Sequence, residues 1–583
     1  MNSSVPGEAI GLEHLSFRYP ERTEPALDDI SLTIESGEMV VVMGATGAGK
    51  TTLAKCLNRT IPAFQPGTLS GEVRILGEPR HDAGVADLAG LVGLVSQDFE
   101  AQLFATNVLQ EVVFGMEQLG VAADEMQRRL PQALQTVGLA GFERRDPATL
   151  SGGEKQRLAI AATLALQPRI LVFDEPTTDL DPLGKLDIFA VLATMRRGGY
   201  TLLVIEHESA AAENADRMII MSRGRIVADD VPDRVLGREA FLRQHGVRPP
   251  DLSRLAARVG LDPPPRTLDE AEAAVRNLAA SPRAQPDSIR GESVEVLQPV
   301  PLLTKEGSGE VSSSGANQPP LVQAEGIEFR YESGAMALSG VSLTIRAGEF
   351  VALIGQNGSG KTTLAKHLNG LLRPSRGRVL LRGTDMYALP LNRVAMDVGY
   401  VFQNPDHQIF AASVRDEVAF GPRNFGLAPA EVGERVRDAI AAVGLEGLDQ
   451  EDPFLLSKGH RQRLAVASVL ALRPHLLILD EPTTGLDYNE QRRMMDLLAG
   501  LHARGMTILM ITHSPWVVAE YAERGILMKD GRILFDAPLR SLFEEEALLQ
   551  GAHFCAPEIT RLGRRFGFTP LSVDEFARRL RSE

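Results

Sequence analysis

The sequence predicts an α/β protein built twice, on three observations. The stretch Leu150–Asp181, LSGGEKQRLAIAATLALQPRILVFDEPTTDLD, returns as Leu456–Asp487, LSKGHRQRLAVASVLALRPHLLILDEPTTGLD. A glycine-rich loop after an apolar strand occurs at Gly44–Thr51 and again at Gly355–Thr362. The strands beside these features are continuous apolar runs rather than alternating ones, as in parallel strands covered on both faces. At 583 residues the chain is also too long for one core.

In chain order, residues 11–37 read as an antiparallel β-region closed by the Ser36-Gly37 turn. Met39–Met43 is an apolar strand that runs into Gly44-Ala-Thr-Gly47-Ala-Gly49-Lys50-Thr51-Thr52 and a helix to about Asn58. That is the phosphate-binding loop in its strand–loop–helix context. Backbone N–H groups of such a loop cradle phosphates, Lys50 can reach the β- and γ-phosphates, and the Thr51 hydroxyl can ligate Mg²⁺. Chance matches to its four fixed positions arise in roughly a few per 10⁵ starts, so two in one chain are no accident. The second is Gly355-Gln-Asn-Gly358-Ser-Gly360-Lys361-Thr362-Thr363, after the strand Phe350–Ile354.

Leu91–Ser96 and Val398–Phe402 read as strands ending at Gln97 and Gln403, placed for a metal or water contact. Residues 108–149 and 414–455 read as mostly helical insertions. Ser151-Gly152-Gly153 opens a helix over Glu154–Leu166, and a helix start presents N–H groups that suit a phosphate. The buried strand Ile170–Phe173 ends on Asp174-Glu175, where α/β sheets hold their ligands. Asp480-Glu481 is its counterpart. Thr201–Ile205 leads to His207 and Thr507–Ile511 to His513, two histidines in register after carboxylate strands and candidate γ-phosphate sensors. Each unit ends in a small helical appendage, 250–271 and 557–576. Residues 281–320, rich in Pro, Ser, Gly, Glu and Gln, read as a flexible linker. The expected division is 1–280, 281–320 and 321–583.

The totals exclude several classes. A net charge of −15 argues against nucleic acid as a partner. Cys56 and Cys555, the only cysteines, leave no four-cysteine metal module and suit a reducing cytosol. No apolar run reaches the roughly 18 residues that cross a bilayer. The opening residues MNSSVPGEAIGLEHL have no basic flank or apolar core and read as no signal peptide. Membrane contact is therefore expected only through partners.

Taken together, these residues resemble the nucleotide-binding subunits of ABC ATPases, over nearly the whole chain outside the linker. The resemblance implies tandem P-loop NTPase domains. Each would have a RecA-like core, an antiparallel β-subdomain, a helical subdomain and a C-terminal appendage. The Walker A motifs fall on Gly44–Thr51 and Gly355–Thr362, and the Q-loops on Gln97 and Gln403. The signatures are Leu150–Gly153 and Leu456–Gly459, with Ser457 and Gly459 in the second. Walker B falls on Asp174–Glu175 and Asp480–Glu481, the D-loops on Asp181 and Asp487, the switch histidines on His207 and His513. Tyr19 and Tyr331 match the aromatic that stacks on adenine. The implied cofactors are ATP and Mg²⁺, the metal held around Thr51, Gln97, Asp174, Thr362, Gln403 and Asp480. Glu175 and Glu481 would polarise the attacking water. In this family the two domains pair head to tail, so each signature completes the other domain's ATP site.

Within the superfamily, Gln97–Thr106, Gln403–Ala412, Glu111–Gly115, Glu417–Gly421 and the appendages resemble energy-coupling-factor (ECF) ATPases. Those drive uptake of vitamins, cobalt or nickel with a transmembrane T subunit and a substrate-binding S subunit, at the cytoplasmic face of the cell membrane. A tandem chain with a Ser-Lys-Gly second signature resembles the subgroup serving a thiamine-type precursor. The alternatives are a fused ATPase of a sugar or peptide importer, and a soluble ABC protein acting on ribosomes or DNA. The latter is disfavoured by a linker that is not basic. Asp98, Glu100, Asp406 and Asp416 are expected to meet arginines of a T subunit. Lys458, where the first signature has Gly152, is expected to slow the ATP site built on Lys50.

Overall fold

The computed structural model describes residues 7–20, 22–280, 320–332 and 334–582. Except for Pro320, the expected linker over 281–320 lies outside the described residues.

Each unit has two sheets. In unit one the strands Leu27–Glu35, Glu8–Arg18, Thr68–Ile75 and Glu78–Pro79 form an antiparallel sheet in that order. Leu27–Glu35 alternates buried and exposed residues, so one face packs inward and the other meets water. The second sheet runs Arg225–Asp230, Arg217–Ser222, Met39–Met43, Thr201–Ile205, Ile170–Asp174, Val92–Val95. It is parallel except for the edge hairpin. Met39–Met43, Ile170–Asp174 and Thr201–Ile205 are buried at every residue, as two-sided covering requires. Unit two repeats this order with Arg532–Pro538, Arg524–Lys529, Phe350–Ile354, Thr507–Ile511, Leu476–Asp480 and Val398–Val401.

The parallel order places the loops after Met39–Met43, Ile170–Asp174 and Thr201–Ile205 side by side, because those strands are neighbours pointing one way. The phosphate loop, the Asp174-Glu175 pair and His207 therefore share one edge. The same holds for Phe350–Ile354, Leu476–Asp480 and Thr507–Ile511. Val108–Gln118, Ala123–Thr136 and Gly152–Ala165 make the helical insertion, with Val414–Asn424, Pro429–Ala442 and Lys458–Leu470 as its counterpart.

The two appendages pack into each other. Helices Asp251–Val259 and Leu268–Ala280 of unit one meet Glu558–Arg564 and Val573–Ser582 of unit two. Leu252, Leu255, Val275, Ile559, Leu562 and Phe576 share one core, each at most 2 % exposed. Ion pairs seal its edge: Arg258 Nε–Asp574 Oδ1 at 2.9 Å and Arg565 Nη1–Asp269 Oδ1 at 2.6 Å. Neither appendage could bury an apolar face alone.

Candidate active site

The phosphate loops open on glycines that must be glycine. Gly44 has φ +148° and Gly355 +141°, and a Cβ there would lie 2.1 Å from the Met221 or Met528 carbonyl oxygen. Gly47, Gly49, Gly358 and Gly360 are also left-handed. Gly49 and Gly360 cap the helices Lys50–Leu57 and Lys361–Leu368. Lys50 Nζ donates to the Gly44 and Ala45 carbonyls at 2.9 and 3.1 Å, and Lys361 Nζ to those of Gly355 and Gln356 at 2.9 and 2.8 Å. Each ammonium is thus held over its loop. Burial lowers both lysines' pKa, with the nearby carboxylates opposing.

Thr51 Oγ1 donates to Asp174 Oδ1 at 3.1 Å, and Thr362 Oγ1 to Asp480 Oδ2 at 3.0 Å. A hydroxyl and a carboxylate held together at the phosphate loop are hard oxygen donors, and they fit Mg²⁺. Burial pushes Asp174 up to about 6, with Glu175 adding to it. Asp480 is likewise raised by burial and also accepts from the Tyr400 hydroxyl at 2.9 Å. Unit one has Leu94 at the matching strand position.

Glu175 and Glu481 follow these aspartates in left-handed conformations, φ +52° and +50°, which strains a non-glycine residue. Their N–H groups are fixed by the Ile205 and Ile511 carbonyls at 2.9 and 3.0 Å, which holds the strain in place. From here the two sites diverge. Glu175 Oε1 lies 2.8 Å from His207 Nε2, and Oε2 accepts from Gln97 Nε2 at 2.8 Å. Burial alone would raise this carboxyl, but His207 above all, with Lys50 and Lys458, holds it down at about 2. Glu481 Oε1 lies 3.1 Å from His513 Nε2 but out of line for a hydrogen bond, and it has no other hydrogen-bond partner. Gln403 Nε2 points instead to Asp179 Oδ1 of unit one at 3.4 Å. Burial pushes Glu481 up to about 8 against the pull of Lys361, and keeps His513 neutral. Neither glutamine amide donates to the Thr–Asp pair: Gln97 is on Glu175 and Gln403 is across the interface.

Tyr19 and Tyr331 stand beside the helix that follows each loop, their hydroxyls 3.3 and 2.9 Å from Thr52 Oγ1 and Thr363 Oγ1. Tyr331 is 41 % exposed, leaving a ring face open to a base.

Ser151 caps the helix Gly152–Ala165 and Glu154 reciprocates, Oε2 accepting from the Ser151 N–H at 2.7 Å. Ser457 caps Lys458–Leu470, but His460 stands where Glu154 does. Its Nδ1 lies 2.6 Å from Ser457 Oγ, so that hydroxyl is engaged locally. Gly152 lines the same cleft as Gly358, Lys361, Thr362, Glu481 and His513, a space of about 2360 Å³. A Cβ on Gly459 would lie 2.5 Å from Glu490 Oε2, so a side chain there would displace that carboxylate.

The units therefore meet head to tail within one chain. Thr46 N–H donates to Asp487 Oδ2 at 2.8 Å, and Asn357 N–H to Asp181 Oδ2 at 3.1 Å. Each D-loop aspartate binds the other unit's phosphate loop.

Four positions at this interface escaped the sequence reading. Asp179 takes φ +65° where its counterpart is Gly485, φ +67°. Glu206 stands for Thr512, Glu208 for Ser514 and Lys185 for Gln491. Glu206 accepts from Thr177 Oγ1 at 2.6 Å and from the N–H groups of Thr177 and His207, both at 3.0 Å. Burial, opposed by the Thr177 bond, pushes it up to about 7. A position-by-position comparison of the two units carries the signal: a charge in unit one faces a neutral residue in unit two at all four.

The family described as ABC transporter matches residues 27–178 and 338–484. A protein of Caldanaerobacter subterraneus subsp. tengcongensis, assigned by inference as an ABC transporter ATP-binding protein, is 46 % identical over 98 % of this chain and 99 % of its own. One from Methanosarcina acetivorans with the same inferred assignment is 40 % identical over 95 % and 89 %. The solved structure of cbiO1 from Clostridium perfringens, described as part of the ABC transporter complex cbiONQ, is 34 % identical. It covers 42 % of this chain and 100 % of its own, with a TM-score of 0.38.

Proposed function

The chain belongs to the ABC transporter family of ATP-binding proteins, and from that premise we propose that it is the fused ATPase of an ECF-type importer. It hydrolyses ATP. Its membrane partners are a T subunit and a substrate-binding S subunit, and it docks on them at the cytoplasmic face. The cargo class is a vitamin, a vitamin precursor such as that of thiamine, or a cobalt or nickel ion. Among the described residues no helix is long and apolar enough to cross a membrane, so translocation falls to the partners.

One observation carries the docking reading. Phe104 and Phe114 stand edge to face, ring centroids 4.6 Å apart, 62 % and 40 % exposed; Phe410 and Phe420 repeat this at 4.6 Å, 58 % and 45 % exposed. Each pair lies just beyond a Q-loop. Buried Glu111 holds the first by accepting from Phe104 N and Ala105 N at 3.0 and 2.7 Å. Glu417 does the same for Phe410 and Ala411 at 3.0 and 2.9 Å. Exposed, rigidly held aromatics contribute little to a lone chain and mark a contact face. Two equal patches suit a partner presenting two similar elements. The acidic docking residues read from the sequence are mostly paired internally: Glu100 with Lys155 at 2.6 Å, Asp406 with Arg461 at 2.8 Å, Asp416 with Arg423 at 3.0 Å.

The chemistry is in-line attack of water on the γ-phosphate, so positioning and charge neutralisation are the main demands. Lys50 and Lys361 neutralise the β- and γ-phosphates beside the loop N–H groups. Glu175 and Glu481 align the water and receive its proton at Oε. His207 holds the Glu175 carboxylate, and both histidines stand where they would face the γ-phosphate. Thr51–Asp174 and Thr362–Asp480 would hold Mg²⁺, which supplies further neutralisation of the phosphates. Closing the interface brings Ser151 to the Lys361 site and Ser457 to the Lys50 site.

Co-expression with the membrane partners tests this. Phe104→Ser with Phe410→Ser should abolish co-purification and leave the isolated chain's ATPase within about twofold. Full recovery of the complex would place docking elsewhere.

A further inference from the structure

The lysine that the helix after the first D-loop brings to the Glu481 cleft has a neutral residue, Gln491, at the matching position of unit two. The charge that reaches Glu175 from the opposite unit comes instead from Lys458 of the signature. Lys185, on the helix Pro182–Arg197 after the D-loop of unit one, lines the cleft that holds Lys361, Glu481 and His513 of unit two. Its ammonium is ion-paired with Glu208, the residue directly after His207. Other charges in this neighbourhood are Glu206 and Arg248 of unit one and Lys361 and Asp480 of unit two. Lys185 thus lies between a switch turn serving the Lys50 site and the catalytic carboxylate of the Lys361 site. In the mirror position Gln491 is neutral, and its amide donates to the Leu486 and Thr483 carbonyls of its own D-loop at 2.9 and 3.4 Å. Ser514 replaces Glu208 and donates its N–H to Thr512 Oγ1 at 3.1 Å. No lysine follows the second D-loop, so the link exists in one direction.

We infer that Lys185 is a positioning residue for the Lys361 site, acting across the interface and tied to the switch turn of the Lys50 site through Glu208. The physical basis is competition. One ammonium is ion-paired with Glu208 of its own unit and shares a cleft with Glu481 of the other. Any movement of His207 carries Glu208 with it, because the two are consecutive. The positive charge then strengthens or weakens at Glu481, and with it the hold on that carboxylate. Glu481 needs such a hold more than Glu175 does. Glu175 has His207 and Gln97 on its two oxygens, whereas Glu481 Oε1 has no hydrogen-bond partner. Occupancy of one ATP site would so tune the chemical step at the other, without a reciprocal wire. Linkage makes binding effects reciprocal but leaves effects on turnover free to be one-sided.

The inference rests on Glu175 and Glu481 as the groups that align water, and the experiment separates the two. Turnover is measured in the full chain with one site silenced at a time, by Glu175→Gln or by Glu481→Gln. With Glu175→Gln, which leaves the Lys361 site, Lys185→Gln should lower kcat roughly tenfold with KM changed less than about twofold, and Lys185→Arg should restore most of it. With Glu481→Gln, which leaves the Lys50 site, Lys185→Gln should change kcat by less than about twofold. Glu208→Gln, which removes the competing carboxylate, should leave kcat in the first background undiminished or raised, and should have little effect once Lys185 is Gln. Equal losses in both backgrounds, a loss in KM alone, or no rescue by arginine would overturn the inference and leave Lys185 a structural residue. Undiminished turnover in the Glu175→Gln, Glu481→Gln double variant would instead defeat the site assignment itself.

Discussion

The carboxylate of Asp181 reaches the backbone N–H of Asn357, 3.1 Å from Oδ2, while its Oδ1 accepts from the Gly184 N–H at 2.8 Å. One side chain therefore caps a helix in its own unit and fixes the phosphate loop of the other. Asp487 does the same, with Glu490 N–H at 3.0 Å and Thr46 N–H at 2.8 Å. Asp181→Ala should cost about 1 kcal/mol through the lost cap. Because Asn357 belongs to the Lys361 site, turnover there should fall more than at the Lys50 site. Thermal unfolding and ATPase rates in the two single-glutamate backgrounds check both outcomes. Equal loss at the two sites would mean that the cap alone matters.

The appendage core gives a second expectation. Phe576 is fully buried among residues of both units, including Leu255 and Val275. Phe576→Ala removes a large ring from a small core and should cost about 3–5 kcal/mol. Since this core joins the units, the loss should also weaken ATP-driven closure. A lowered thermal midpoint with unchanged turnover would show that closure does not depend on the appendages.

Most of the fold was legible because apolar runs, glycine turns and the duplication all point the same way. The strand Ile170–Asp174 and the helix Gly152–Ala165 fall where continuous burial and a Ser cap require them. What stayed hidden was pairing between distant segments. Nothing in the periodicity of Leu252 and Leu255 says that Phe576, more than three hundred residues on, covers them. Within the site, residues whose own chemistry suits a phosphate or its metal, such as Lys50 and Thr51, announce themselves by spacing. Lys185, Asp179 and Glu206 matter through where the opposite unit places its charges. A lone Lys on a helix or Asp in a turn carries no such signal.

A pH effect follows from Glu558, which sits between the appendages and the unit-one core. Burial, with Asp251 adding and Arg248 opposing, pushes its carboxyl up to about 7. A carboxyl held above its ordinary value favours the protonated folded state. Its contribution is full below about pH 4.5 and is lost as pH rises through about 7, on the order of 2 kcal/mol. Glu206, also near 7, acts with the same sign, so the comparison must be with a variant. The thermal midpoint of Glu558→Gln should fall less between pH 5.5 and pH 8 than that of the parent chain, by about 2 °C or more. Identical slopes would mean that Glu558 stays ionised throughout.

The last expectation concerns the unequal signatures. Lys458 stands where Gly152 does, and its Nζ packs against Gly485, where even a Cβ would lie 2.1 Å away. From there its charge acts on the carboxylates of Glu175 and Asp179 of unit one. Asp179 itself holds a left-handed conformation that costs an aspartate about 1 kcal/mol or more. For the second signature to close over a γ-phosphate at the Lys50 site, Lys458 must leave these partners, and Ser457 must give up its contact with His460. The first signature has neither obligation: Gly152 carries no charge and Glu154 leaves the cap intact. A misplacement of about 1 Å at the reacting phosphate can cost on the order of 10²-fold in rate. Glu481→Gln should therefore remove most of the ATPase activity, Glu175→Gln less, and the double variant all of it while ATP still binds. Side-by-side rates for the two single variants decide it. Equal losses, or a larger loss from Glu175→Gln, would mean that Lys458 swings onto the phosphate as a point charge and serves in place of the missing glycine contact.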